Sequence, residues 1–318
     1  MTEEGANILR IGIDLGGMSI KAGLVNDEYQ IVYKETAPTD VEHGTEKLCA
    51  DIIALIQRVC QKAPQGKTVQ SIGIGVPGDV NKHTGRIVYC NNIPLQDFDL
   101  RGAIEKATGI KTYINNDANV AALGEVIAGA AREFSDAVMV TIGTGIGSGI
   151  VINNQIYLGC NGAAGELGHE VIVVDGLPCP CGRRGCYEQY ASATALIRMT
   201  REAMKAHPES KMWEIAGDLD GVNGKTSFDA RRAGDPIGTK VVDVYVKYLA
   251  AGLVNVVNIF QPQAIIIGGG ISKEGDYLLD LLRDILRRER YSRGEHQAAL
   301  LTARLGNNAG IVGASQLS

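Results

Sequence analysis

Apolar and polar positions along the chain fall into two alternating periods. Ile8–Asp14 reads as a buried strand, Asp14-Leu-Gly-Gly17 as a tight turn, and Ser19–Val25 and Tyr29–Thr36 as returning strands. Thr45–Gln61 carries Leu48, Ile52, Leu55, Ile56 and Val59 on one helical face. Ser71–Val76 is a β-branched strand stopped by Pro77-Gly78, and Asp117–Ala130 is a helix with an Asn/Asp start. The pattern then recurs: strand Ala137–Gly143, glycine turn Gly143–Gly147, and strand Ser148–Ile152, a weak repeat that sets Gly143 against Asp14. A long helix over Gly238–Phe260, strand Ala264–Ile267, turn Gly268–Gly270, helix Tyr277–Arg290 and strand Ala298–Ala303 complete the series. Two related α/β halves predict two domains facing a cleft. The expected division is a small N-terminal domain over 1–116 and a larger one over 117–305, with a terminal helix at about 306–318 packing back on the first. The polar stretch Lys205–Asp235 is expected to hold short helical insertions.

Composition narrows the function classes. A net charge of -5 opposes a nucleic-acid surface, which needs a basic footprint. No apolar run approaches the roughly 18 residues of a membrane span. The acidic start MTEEGANILR lacks the features of a secretory signal, so a cytoplasmic protein is expected. Seven cysteines then favour thiols or metal ligation over disulfides. Glycine, at 40 of 318 residues, exceeds the usual share of roughly 7%.

Much of that glycine lies where chemistry is expected. Gly16-Gly17, Gly143–Gly147 and Gly268–Gly270 follow strands, and such turns are either plain structure or nests that present N–H groups to phosphate. None fits the P-loop pattern. In Asn115-Asn116-Asp117, one residue is an N-cap. Asp117 is also a candidate to accept the proton of a sugar hydroxyl, with Asn116 orienting the sugar. His169, Cys179, Cys181 and Cys186 supply one imidazole and three thiolates, a complement suited to closed tetrahedral zinc. Glu166 and Glu188 bracket this cluster and suit paired sugar hydroxyls. The remaining cysteines and histidines read as buried apolar and solvated residues respectively.

These residues resemble the ROK family of bacterial repressors and sugar kinases, part of the actin-like ATPase superfamily. The resemblance runs nearly end to end. It is carried by Asp14-Leu-Gly-Gly17, Val76-Pro-Gly78, Asn92-Ile-Pro94, Asn116-Asp-Ala-Asn119, Gly143-Thr-Gly145, Gly268-Gly-Gly270 and above all Cys-x-Cys-Gly-x-x-Gly-Cys-x-Glu at 179–188, preceded by Glu-x-Gly-His at 166–169. It implies a two-domain actin-like fold of duplicated ribonuclease H-like units, and an enzyme moving the γ-phosphate of ATP to the 6-hydroxyl of an aldohexose. Asp117 would be the base. Asn92, Asn116, Glu166, His169 and Glu188 would hold the sugar, with His169 also on zinc. Asp14 would place Mg²⁺, Gly16, Gly17, Gly143, Thr144 and Gly145 would cradle phosphates, and Gly268, Gly269 and Gly270 would meet the adenosine. The run 116–125 is most similar to kinases that act on glucose. N-acetylmannosamine, N-acetylglucosamine, allose and fructose remain alternatives, as does a sugar sensor without catalysis. A repressor would need a DNA-binding domain ahead of Asp14, for which no room is expected. Homodimers or homotetramers are expected from the resemblance. One departure is Met18, which stands where the family's first loop usually has Thr.

Overall fold

Alternation along the first strand sorts its side chains cleanly. Leu9, Ile11, Ile13 and Leu15 are fully buried on one face, while Gly12 lies on the other. A computed structural model describes residues 8–90, 93–294 and 297–318. The chain begins with β1 (Ile8–Leu15), β2 (Ser19–Val25), β3 (Ile31–Pro38), α1 (Gly44–Cys60) and β4 (Thr68–Val76). It continues through the hairpin of β5 (Gly78–Val80) and β6 (Ile87–Cys90), then α2 (Leu100–Thr108), β7 (Lys111–Asn116) and α3 (Asp117–Ile127). The second series is β8 (Ala137–Ile142), β9 (Ile146–Ile152), β10 (Gln155–Ile156), α4 (Glu188–Ala191), α5 (Ala193–Ala206), α6 (Met212–Ala216) and α7 (Thr226–Arg232). It ends with α8 (Pro236–Phe260), β11 (Ala264–Gly269), α9 (Asp276–Glu289), β12 (Ala299–Thr302) and α10 (Ala309–Ser315). Two compact units result: Met1–Met139 with Gly149–Gly165 and Arg304–Ser318, and Val140–Ser148 with Glu166–Ala303.

The two five-stranded sheets are ordered alike, β3-β2-β1-β4-β7 and β10-β9-β8-β11-β12. In the first, β2 pairs antiparallel with β1 and β3, while β4 pairs parallel with β1 and β7. In the second, β10 is antiparallel to β9 and β12 parallel to β11. The internal repeat read from the glycine turns is therefore a repeat of topology.

Within the first unit, α1 covers the apolar face of the sheet with Leu48, Ile52, Leu55, Ile56 and Val59. Helix α10 covers the other face, and glycine makes this possible. A Cβ on Gly12 or Gly73 would lie 1.8 and 1.7 Å from the carbonyl oxygens of Ile311 and Ala314. Similarly, Gly313 meets the Val120 carbonyl and Gly124 that of Ala309, so α3 and α10 touch backbone to backbone. Part of the glycine excess thus serves helix packing rather than ligand binding. Glu125, fully buried on α3, accepts hydrogen bonds from the N–H groups of Ala130, Arg304 and Leu305 at 2.7, 3.1 and 2.7 Å. It fastens the strand-to-helix connection before α10 onto α3.

Helix α8 organises the second unit. It holds no apolar run of about 18 residues, yet its 25 residues are apolar enough on average to pass for a membrane span, with mean hydropathy 1.3 over an 18-residue window. Half of that window is buried, and α4, α5, α7 and α9 pack on the helix. A helix covered on several sides needs apolar residues around most of its circumference. The fully buried ring of Tyr187 lies against Gly252 of α8, and its hydroxyl donates to the Leu249 carbonyl at 2.7 Å. The polar stretch before α8 contains α6 and α7, the expected insertions.

Candidate active site

In the first unit, β7 delivers Asn116 to the N-cap of α3. Its Oδ1 accepts from the N–H groups of Ala118 and Asn119 at 2.9 and 3.2 Å, and its Nδ2 donates to the Gly78 carbonyl at 3.2 Å. The Asn116 oxygen is therefore fully occupied by the cap, leaving one amide hydrogen for any ligand. Asp117 is the first helical residue, half-buried, with Oδ1 accepting from the Ala118 N–H at 2.8 Å. A carboxylate there is favoured by the exposed N–H groups of the helix start. Behind it, Asn115 Oδ1 accepts from the Asn116 N–H and from Asn119 Nδ2 at 2.8 and 3.2 Å. Cys90, at the end of β6, also faces this carboxylate. Burial pushes its thiol up to about 11, and the charge of Asp117 adds to the shift.

The first glycine loop lies in the same unit. The Gly16 N–H donates to the Ser19 carbonyl at 3.0 Å, and Thr39 Oγ1 donates to the Gly16 carbonyl at 2.6 Å. Asp14 is the cross-strand neighbour of Lys21, and its Oδ2 lies 3.0 Å from Lys21 Nζ. Met18 projects its side chain into solvent with 89% exposure, while its carbonyl accepts from the Thr39 N–H. The thioether is therefore not part of the loop's packing. Asn92 lies outside the described residues.

The second unit holds the second glycine loop. The Gly143 N–H donates to the Gly145 carbonyl at 3.0 Å, and Ala193 at the start of α5 donates to the Gly143 carbonyl at 2.9 Å. Thr144 is exposed. A Cβ on Gly145 would stand 2.6 Å from Glu188 Oε2, so glycine admits that carboxylate. A cavity of about 370 Å³ opens here, lined by Thr144, Gly145, Glu188, Gln189, Ser192 and Arg198 among others. At the third turn, Gly269 has φ +81° and lies against the Ile142 backbone, a structural demand for glycine. Gly270 meets nothing within 4 Å and leads into the 3-10 turn Ile271–Glu274.

Next to the second loop, the cysteine segment folds into a knuckle. Cys179 N–H donates to the Arg183 carbonyl, Gly182 N–H to Cys179, and Gly185 N–H to Leu177. Gly182 and Gly185 adopt φ of +91° and +80°, and a Cβ on Gly185 would collide with the Val173 carbonyl. The 3-10 turn Leu167–His169 brings the imidazole in, with Glu166 exposed at its start. His169 Nδ1 lies 3.7 Å from Cys179 Sγ, and Cys181 Sγ lies 3.6 Å from Cys186 Sγ. All four candidate ligand atoms fall within 4.8 Å of one another, a set that could hold a metal ion. Glu188 Oε1 stands 3.3 Å from Cys179 Sγ and 3.8 Å from His169 Nδ1. Burial pushes the Cys179 thiol up to about 12, whereas a backbone N–H from Arg183 holds Cys181 below its usual value.

The profile of the ROK family matches residues 10–318. The chain belongs to the ROK family. It is 37% identical to a glucokinase of Halalkalibacterium halodurans, over 96% of this chain and 94% of that protein. A xylose repressor of Caldicellulosiruptor bescii is 31% identical over 95% of this chain and 76% of its own length. Among solved structures, a ROK family glucokinase from Streptomyces griseus in complex with glucose and AMPPNP matches with a TM-score of 0.77. That protein is 36% identical, over 98% of this chain and 99% of its own. The duplicated sheet order is accordingly that of an actin-like α/β fold.

In this ROK chain the second unit gathers Thr144, Gly145, His169, Glu188 and the three cysteines around one place. The first unit gathers Asn115, Asn116 and Asp117. Sequence reasoning missed three neighbours of these groups. Lys21 was within reach, because a hairpin closing at Gly16-Gly17 sets it opposite Asp14. Thr39 and Cys90 gave no local signal, since each arrives from a distant strand end.

Proposed function

We propose that this protein transfers the γ-phosphate of ATP to the 6-hydroxyl of glucose. The full-length likeness to glucokinases, one of them solved with glucose and AMPPNP, supports this substrate pair. The observation that carries the reaction is Asp117, a half-buried carboxylate on the first residue of a capped helix, where the N–H groups of the helix start favour its charged form. In phosphoryl transfer such a group orients the nucleophile and takes its proton late, so an ordinary carboxylate suffices. Asn116 holds the turn through its cap and offers its remaining amide hydrogen to the sugar. Glu166, Glu188 and His169 accept or donate to further hydroxyls, with Asn92 as an additional contact. Gly16, Gly17, Gly143, Thr144 and Gly145 present N–H and hydroxyl donors to the phosphates, and Gly268–Gly270 lie against the adenosine. Asp14 is the reading for Mg²⁺, which would neutralise phosphate charge beside Lys21.

For the Cys/His cluster we read a closed zinc site. Two sulfurs on a tetrahedral zinc, at Zn–S of about 2.3 Å, sit about 3.8 Å apart, and a sulfur and an imidazole nitrogen about 3.6 Å apart, near the 3.6 Å between Cys181 and Cys186 and the 3.7 Å between Cys179 and His169. Metal at His169 Nδ1 would leave Nε2 for the sugar and fix the ring's orientation. Four protein ligands leave no open position for catalytic water, so the residues of the turn at 115–117 do the chemistry. The seven free cysteines fit a reducing cytoplasm.

An ADP-release assay over glucose, mannose, fructose, allose and the N-acetylhexosamines tests the proposal. Glucose is expected to give the highest kcat/KM. A different best hexose would move the substrate, and sugar binding without turnover on any of them would favour the sensor reading suggested by the repressor relative.

A further inference from the structure

Helix α4 is only four residues long, and it carries two adjacent side chains to the knuckle, Glu188 and then Gln189. The backbone of the second is tied down on both sides. The Gln189 N–H donates to the Cys186 carbonyl at 3.0 Å, and a guanidinium nitrogen of Arg198 on α5 donates to the Gln189 carbonyl at 2.8 Å. From this fixed point the half-buried Gln189 side chain reaches two groups at once. Its Nε2 lies 3.4 Å from Glu188 Oε1 and 3.7 Å from Cys179 Sγ, within donating reach of both.

Those two acceptors are themselves only 3.3 Å apart. As a thiol, Cys179 can donate to the carboxylate directly. Zinc ligation replaces that proton and leaves a thiolate in contact with Glu188. Two anions so close repel unless a donor stands between them. His169 Nδ1 is 3.8 Å from the same carboxylate oxygen, but as a zinc ligand it has no proton to give. The Gln189 amide nitrogen has two hydrogens, one for each anion, whereas its oxygen would only add a third acceptor. The nitrogen is therefore the end that faces the pair. The other carboxylate oxygen, Glu188 Oε2, lies against Gly145 and makes no hydrogen bond among the described residues. Oε1 is the oxygen that is held, and Oε2 the one left for a ligand.

We propose that Gln189 is a positioning residue whose side-chain amide bridges Cys179 and Glu188, keeping the sulfur aligned on zinc and the carboxylate set for the sugar. This rests on the sugar contact and the zinc site proposed above. Gln189 touches neither sugar nor phosphate in this role, and it acts by donating to two anions rather than by filling space. It is separate from the proton transfer at Asp117, so it bears on sugar binding and metal affinity and leaves the chemical step alone.

Gln189→Leu, Gln189→Glu and Gln189→Lys in the full chain test the proposal beside the wild type. Zinc affinity is read by competition with a chromophoric chelator, without sugar or ATP, and glucose KM and kcat by coupled ADP release. Gln189→Leu removes the donor and should weaken zinc about tenfold, as for an outer hydrogen bond to a metal ligand. It should also raise KM about tenfold with kcat within about twofold, the pattern of lost ground-state binding. Gln189→Glu, nearly the same shape, adds a third acceptor and should be worse than Gln189→Leu in both readouts. Gln189→Lys supplies a donor and should restore both to within about threefold of wild type. A packing role would instead favour the isosteric Glu over Lys; that order, or a Gln189→Leu protein like the wild type, would overturn the proposal. Glu188→Gln separates its failure from that of the sugar contact. An unchanged KM there would overturn both, while a raised KM beside an unaffected Gln189→Leu would overturn this proposal alone. A wild type that takes up no zinc would remove the thiolate and overturn it as well.

Discussion

Replacing Asp117 by Asn separates the chemical from the structural role of this residue. The Asn carbonyl can still accept the Ala118 N–H at the position of Oδ1, now 2.8 Å away, so the start of α3 keeps that contact. What disappears is the charge and the ability to accept a proton at the second oxygen. Loss of a charge at a helix N-terminus is worth about 0.3–1 kcal/mol of stability, which barely moves a melting curve. Loss of a general base is worth about 10²–10⁴ in kcat, or about 2.7–5.4 kcal/mol in the barrier. Asn116→Ala should show the opposite balance. It strips the cap from two N–H groups, costing about 0.5–2 kcal/mol of stability, and reaches catalysis through the turn and through the one amide hydrogen offered to the sugar, without touching the proton transfer itself. Melting curves and coupled ADP release on both variants give the comparison. An Asp117→Asn enzyme that folds normally and keeps kcat within about tenfold would refute the base assignment.

Three further outcomes are expected. Cys181→Ala should lower zinc content by at least about tenfold, measured by mass spectrometry of metals, and raise the glucose KM while destabilising the second unit; loss of zinc with normal KM and stability would refute the bracing role. Glu125→Gln should shift the urea midpoint by about 1.5–3 kcal/mol of stability, because its amide nitrogen must face either the Leu305 N–H or the Ala130 and Arg304 N–H groups; an unchanged midpoint would count against the latch. Met18→Thr should leave kcat/KM within about tenfold, about 1.4 kcal/mol, since the native side chain touches only solvent; a hundredfold gain would show the native loop to be crippled.

The sequence by itself determined the local features. Strand β1 and helix α1 follow from periods of two and 3.6. The knuckle at 179–186 was legible because its three cysteines lie close enough along the chain for one short glycine-shaped segment to close on them. The cap at Asn116 was legible because capping involves only the next three residues. Helix α2 escaped notice because only Leu100 and Ile104 of its nine residues are buried, too few to mark a period. Tertiary structure alone decided the rest. Gly12 and Gly73 read as ordinary strand residues until α10 lies on them, and Glu125 reads as a surface acid until Leu305 reaches it from 180 positions away. Asn116, expected to orient a sugar, has its oxygen occupied by the cap that the same residue provides. In each case the deciding partner is distant in the chain, and only folding brings into range the hydrogen bonds and close contacts that give the residue its role.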